Sequence, residues 1–201
     1  NEKWHIQLPD RDLAYLTEET PEFDNYINDL HWVQEYALKN RDEMMDRVLI
    51  ELSRTIYGDE RDIELERINC HHNFTQREQH FNNNPWITRK GAILAREGVM
   101  GLIPGSMGTK SYVVEGKGNP MSFDSAPHGA GRRMSRTEAR KRFTKQDLET
   151  AMGTNIEYEH SDKFIDEIPM AYKDIDTVME NSKELVEVRH TFSQLINVKG
   201  E

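Results

Sequence analysis

His128 is the side chain in this sequence best placed to act as a nucleophile. It lies within Ser125-Ala126-Pro127-His128-Gly129-Ala130-Gly131-Arg132-Arg133-Met134-Ser135-Arg136, next to two glycines and just ahead of three arginines. Glycines let backbone N–H groups turn inward and approach a ligand closely. Arg132, Arg133 and Arg136 add planar guanidinium forks that match phosphate oxygens. Ser135 and Glu138 have the spacing of a capping box, which predicts a helix starting near Arg136 whose N-terminal end also favours an anion. An imidazole in such a loop could take up a phosphoryl group covalently. The competing reading is a tight turn with an exposed ring, because Gly129-Ala130-Gly131 lacks the third glycine of a dinucleotide fingerprint.

Three other stretches carry chemistry-bearing residues. Cys70-His71-His72-Asn73 supplies thiol and imidazole groups of the kind that bind borderline metals. If that segment is extended, His71 and His72 point to opposite faces, so one of them at most faces a given site. His5, His31, His80, His160 and His190 show no ligand spacing. Ile103-Pro104-Gly105-Ser106-Met107-Gly108-Thr109-Lys110-Ser111 has the small residues of a phosphate cradle without the Walker spacing, and a tight β-turn accounts for it equally well. Asp166 and Glu167 could hold a cation, although solvated carboxylates beside a helix explain them more simply.

The elements that must position these groups follow from pattern. Thr20 and Pro21 predict the start of a long amphipathic helix, with apolar residues at Ile27, Leu30, Val33, Ala37, Met44, Val48, Leu49, Leu52 and Ile56, a bend near Asn40 and an end at Gly58. Its methionines and aromatic residues are expected in a core. Alternation predicts a strand over 63–68, and shorter strands follow over 86–92, 99–103 and 111–115. Helices are expected over 136–142, over 145–152 between Thr144 and Gly153, and over 171–180. A strand-like run over 185–198 closes the chain. The expected class is α+β, mixed β-sheets with packed helices, with residues 1–201 forming a single unit.

Composition narrows the function classes. The chain has 201 residues, 36% of them hydrophobic and 31% charged, and a mean hydropathy of −0.83. No apolar run approaches the roughly 20 residues of a membrane helix, so no membrane partner is expected and a cytoplasmic location is. A single cysteine, Cys70, excludes an internal disulfide framework. A net charge of −10 argues against indiscriminate nucleic-acid binding. Against that background Arg132, Arg133, Arg136, Arg140, Lys141, Arg142 and Lys145 face one acid, Glu138, and could form a confined track for a phosphate backbone or simply a solvated helix face.

In order along the chain, His72-Asn73-Phe74, Thr88-Arg89-Lys90-Gly91-Ala92, Ile103-Pro104-Gly105-Ser106-Met107-Gly108-Thr109, Ser111-Tyr112, His128-Gly129-Ala130-Gly131-Arg132, Met134-Ser135-Arg136, Ala171-Tyr172-Lys173-Asp174-Ile175 and Val198-Lys199-Gly200 resemble the motif series of the RtcB family of RNA ligases. The resemblance covers nearly the whole chain. It implies joining of an RNA 3′-phosphate or 2′,3′-cyclic phosphate to a 5′-hydroxyl with GTP and manganese (Mn2+), in tRNA splicing or RNA repair. It makes His128 the nucleophile that carries GMP and His72 a manganese ligand. Asn73 would neighbour the nucleotide, Pro104, Gly105, Ser106, Met107 and Ser111 would line the guanylate pocket, and Gly129, Ala130 and Gly131 would give backbone contacts around the phosphate. Lys199 would reach the guanine, with Tyr172 a weaker candidate for the same pocket.

The same resemblance implies partners. RNA, as tRNA halves or broken ends, is the substrate, and an archease-type activator is expected. The family's chain is about double this length, and its N-terminal half supplies further metal ligands that have no counterpart here. The sequence therefore resembles a C-terminal half whose metal centre would be completed by an N-terminal half or a separate polypeptide. Such a half is expected to expose apolar surface and self-associate. The alternatives are a non-catalytic fragment that binds RNA or guanine nucleotide, and a metal-dependent phosphohydrolase that uses His72 and His128 as ligands.

Overall fold

A computed structural model describes residues 7–198. Lys199 lies outside the described residues. The chain divides into two compact units, residues 1–60 and 61–201, each taken by itself below. Among the described residues, no helix is long and apolar enough to cross a membrane.

The first unit is dominated by helix α1, Pro21–Tyr57. Its start and stop follow the local signals: Thr20 Oγ1 accepts from Phe23 N, Pro21 occupies the first turn, and Gly58 ends the helix at φ 82° with its N–H donating to Arg54 O. The helix is continuous through Asn40. Spaced ion pairs such as Glu35–Lys39 and Glu43–Arg47 support its polar face. The expected burial of its apolar residues is not found. Trp32, Met44 and Ile56 are 67%, 59% and 63% exposed, and within the helix only Ile27 and Ser53 are buried. One helix cannot cover its own stripe, and burial of that stripe needs a second element packed on it.

The second unit is α+β, as expected. In chain order it contains β1 Asn73–Arg77, β2 Trp86–Lys90, β3 Ala92–Leu94, β4 Met100–Pro104, β5 Ser111–Gly116, β6 Ser125–Pro127, α2 Arg136–Arg142, α3 Lys145–Met152, β7 Glu157–Tyr158, α4 Ile175–Asn181, β8 Val186–Phe192 and β9 Ile196–Asn197. Antiparallel pairs join β1 to β2, β3 to β6, and β4 to β5 to β8, while β7 and β9 pair in parallel. Residues 63–68 form no strand. Leu65 is fully exposed and the segment joins no β-ladder, so alternation alone did not make a sheet. Helix α4 begins at Ile175 rather than Ala171, because Asp174 caps it by accepting from Thr177 N and Tyr172 is held extended in a bridge to Arg132. The run over 185–198 splits into β8 and β9.

Two apolar clusters hold this unit together. The first gathers Ile93, Ile103, Tyr112, Val114, Ala126, Ala130, Ile175, Met179 and Val186 from the strands and α4. The second gathers Met107, Ala139, Leu148, Met152, Phe164, Ile168 and Ala171 around α2 and α3. The loop after β4 leaves the first cluster at Ile103, sends Met107 into the second and returns at Tyr112. The segment after β6 does the same through Ala130, Met134 and Ala139. Both loops singled out in the sequence are therefore pinned along the seam between the clusters.

Candidate active site

His72 and His128 are brought face to face. Their rings stack with centroids 4.1 Å apart and planes 12° from parallel. Gly91, between β2 and β3, sets this approach through the backbone. Its N–H donates to His72 O (2.7 Å) and to Asn73 Oδ1 (2.9 Å), and its carbonyl accepts from His128 N (3.1 Å). His71 lies against the ring of Phe74, while His72, at a bend just before β1, lies against His128. Cys70 is a free thiol packed against the first apolar cluster.

The loop from Pro104 to Ser111 meets the turn that follows His128. A Cβ on Gly129 would come within 3.0 Å of Pro104 O, so glycine there lets the two loops close on each other. A Cβ on Gly105 would lie 2.2 Å from Thr109 Oγ1 and 2.3 Å from Lys110 O, which makes that position intolerant of any side chain. Ser106 is buried with its Oγ 3.3 Å from Thr109 Oγ1. Met107 and Ala130 are buried in the clusters, so their side chains anchor the loops. Beyond the loop, Asp176 accepts from Lys110 Nζ (2.8 Å) and from Tyr112 Oη. Burial, then the Asp176 carboxylate, pushes the Tyr112 phenol up to about 12.

A buried ion pair fixes the strands on either side of this turn. The Arg89 guanidinium grips the Glu78 carboxylate with two donors, and both side chains are 1% exposed. Arg89 Nε also donates to Ser125 Oγ (2.9 Å) and Nη2 to Phe123 O (2.8 Å), which ties the pair to β6 three residues before His128. His80 Nε2 lies 2.9 Å from the same carboxylate, and Gln76 Nε2 donates to it at 2.7 Å. Burial would raise the Glu78 carboxyl, but the bonds from Arg89, His80 and Gln76 outweigh it and bring it down to about 2. Sequence reasoning gave these residues no role. The available signal is that Arg89 shares strand parity with Ile87, and an inward charge demands a partner.

The basic segment is used in two ways. Arg132 donates to Met134 O (3.1 Å), Asp166 O (2.6 Å) and Tyr172 Oη (3.0 Å), with its guanidinium over the Tyr172 ring. Arg136 and Arg140 turn to Asp166 and Glu167, with Arg140 Nη2 2.6 Å from Asp166 Oδ1. These two carboxylates, read from sequence as cation ligands or solvated groups, are internal counter-ions; Asp166 is 4% exposed. Tyr172 Oη donates to Glu167, and burial, then that carboxylate, raises the phenol. Arg133, Lys141, Arg142 and Lys145 remain exposed.

Among the described residues, no three histidine, cysteine, aspartate or glutamate side chains gather as a metal-binding group. Of these donor types His72 and His128 bring two together, one short of such a group.

A glycine-containing loop, an imidazole at its edge and an arginine-rich helix thus meet on an α+β frame. The family model described as tRNA-splicing ligase RtcB matches residues 1–200, and the chain belongs to the RtcB family. It is 50% identical over 196 residues to RNA-splicing ligase RtcB of Escherichia coli (strain K12), which covers 96% of this chain and 48% of that protein. It is 31% identical over 208 residues to tRNA-splicing ligase RtcB of Pyrobaculum aerophilum, covering 91% and 43%. The chain thus spans about half the length of the curated relatives it matches.

The Glu78–Arg89 pair yields a pH-dependent test. The folded carboxyl lies at about 2, below its ordinary 4.5, so its contribution is complete above that ordinary value and disappears as pH falls through the folded one. Glu78→Gln is expected to cost about 3–5 kcal/mol near neutrality, because it leaves a buried guanidinium without its counter-charge. Unfolding of wild type and variant, followed from neutral pH down to about pH 2, should show the gap closing over the acid end of the range; a gap independent of pH would contradict the assignment.

Proposed function

We propose that this chain is the GMP-carrying portion of an RNA ligase that joins RNA 3′-phosphate or 2′,3′-cyclic phosphate ends to 5′-hydroxyl ends with GTP. The observation that supports it most is the placement of His128, stacked on His72 and followed by a glycine turn that closes on the 104–111 loop. A neutral His128 ring nitrogen attacks the α-phosphorus of GTP; a P–N bond forms, the bond to the β-phosphate oxygen breaks, and pyrophosphate leaves. The second ring nitrogen gives up its proton as the neutral phosphoramidate forms. An oxygen of the RNA 3′-phosphate then takes the GMP phosphorus, the P–N bond breaks, and His128 takes a proton back from solvent to become neutral imidazole again. The RNA 5′-hydroxyl finally attacks the activated 3′-phosphate and GMP departs.

The chain's other residues have positioning tasks in this reading. The backbone of Gly129, Ala130 and Gly131 faces the phosphate, while Pro104, Gly105, Ser106, Met107 and Ser111 shape the guanylate site, with Asn73 beside it and Lys199 at the guanine. Manganese bound at His72 would neutralise phosphate charge. Its remaining ligands would come from an N-terminal half or a separate polypeptide, since this chain's donor set is incomplete. An archease-type activator and a cytoplasmic setting belong to the same proposal. The exposed cations Arg133, Lys141, Arg142 and Lys145 are the residues left to follow the RNA backbone.

Incubation with labelled GTP and manganese, alone and with a supplied N-terminal half, tests the covalent step by denaturing mass analysis. A GMP adduct is expected in the completed protein and none in His128→Ala. An adduct that survives the substitution would refute His128 as nucleophile, and phosphate release without any covalent intermediate would favour a phosphohydrolase. For the RNA track, alanine at Lys141, Arg142 and Lys145 together should make the slope of log affinity against log salt shallower by about 2 for single-stranded RNA. An unchanged slope would remove these residues from the interface.

A further inference from the structure

The loop from Pro104 to Ser111 is held in shape by a side chain far away in sequence. Gln194, in the turn between β8 and β9, donates from Nε2 to Ser106 O (2.8 Å) and to Thr109 O (3.1 Å), and its Oε1 accepts from Gly108 N (3.0 Å). One amide therefore satisfies backbone groups on both sides of the loop's tip, where β-ladder partners are unavailable. The amide is itself fixed: Asn197 Nδ2 donates to its Oε1 (2.9 Å), and Glu157 N donates to the neighbouring Leu195 O (2.8 Å) in the parallel pairing of β7 with β9. The hydrogen bonds that the tip makes within the loop are short-range, from Thr109 N and Oγ1 to Ser106 O. They close the turn without fixing it to the rest of the unit.

We propose that Gln194 is a positioning residue for guanine-nucleotide binding, setting the backbone of the 104–111 loop and linking it to the paired β7 and β9. This rests on the guanylate reading of that loop given above. A glutamine can do this because it offers donors and an acceptor from one planar group. Glu at this position keeps the shape and the acceptor for Gly108 N but sets a carboxylate against two carbonyl oxygens, so it should fail much as alanine does.

The test uses the ligase assembled from this chain and an N-terminal half, as wild type, Gln194→Ala and Gln194→Glu. Two readouts are compared: amide hydrogen exchange by peptide, and equilibrium binding of a fluorescent GTP analogue beside the matching ATP analogue. In both variants, exchange over 105–110 should rise about tenfold while β4 and β5 exchange as in wild type, and the GTP analogue should bind about tenfold more weakly. Unchanged exchange over 105–110, or raised exchange with wild-type affinity, would overturn the positioning role, as would exchange raised throughout β4, β5 and β8. A wild type that binds the GTP analogue no better than the ATP analogue would remove the guanylate reading, and the positioning role with it. Equal binding by wild type and variants would remove the positioning role alone.

Discussion

The approach to His128 depends on a guanidinium and a carboxylate withdrawn from water together. Taking both ions out of solvent is costly, and their attraction offsets that cost only when the remaining donors and lone pairs are also met. Here they are: Arg89 reaches Ser125 Oγ and Phe123 O, while Glu78 accepts from Gln76 and lies against His80. The pair joins β1–β2 to the short strand β6, and β6 runs directly into the turn that bears His128. An apolar pair of similar volume would bury more cheaply but would not reach those four partners. The charge is retained where direction matters.

A second constraint is the division of the apolar core. Each of the two loops nearest His128 starts in one cluster and places its next anchor in the other, through Met107 in one case and Met134 and Ala139 in the other. Their backbone is thereby anchored on both clusters, with Gly105 closed against its own loop and Gly129 against Pro104 O. The arginines that follow are sorted by the same geometry. Those facing Asp166 and Glu167 brace the turn against the second cluster, and those on the outer side of α2 and α3 stay in solvent.

Local chemistry was the most legible layer of the sequence. Thr20, Pro21 and Gly58 bounded α1, and Thr144 with Asp147 formed the reciprocal capping box of α3. Motif order singles out His72 and His128 one by one, and the fold stacks their rings on each other. Pattern failed where it needed a partner. Residues 63–68 alternate correctly yet join no β-ladder, and the stripe of α1 has the right period yet remains in solvent. Contacts such as Glu78 with Arg89 and Gln194 with the 106–109 backbone were invisible for a related reason: each is a single polar residue whose meaning depends on a chain segment far away in sequence.

The central claim is that His128 receives GMP at the meeting of the two loops. A crystal structure of the completed protein after exposure to GTP tests it most directly. The account predicts continuous density between a His128 ring nitrogen and the α-phosphorus, with the nucleotide lying along residues 104–111 and 128–131. GMP bonded to another side chain, or a nucleotide seated away from both loops, would contradict it.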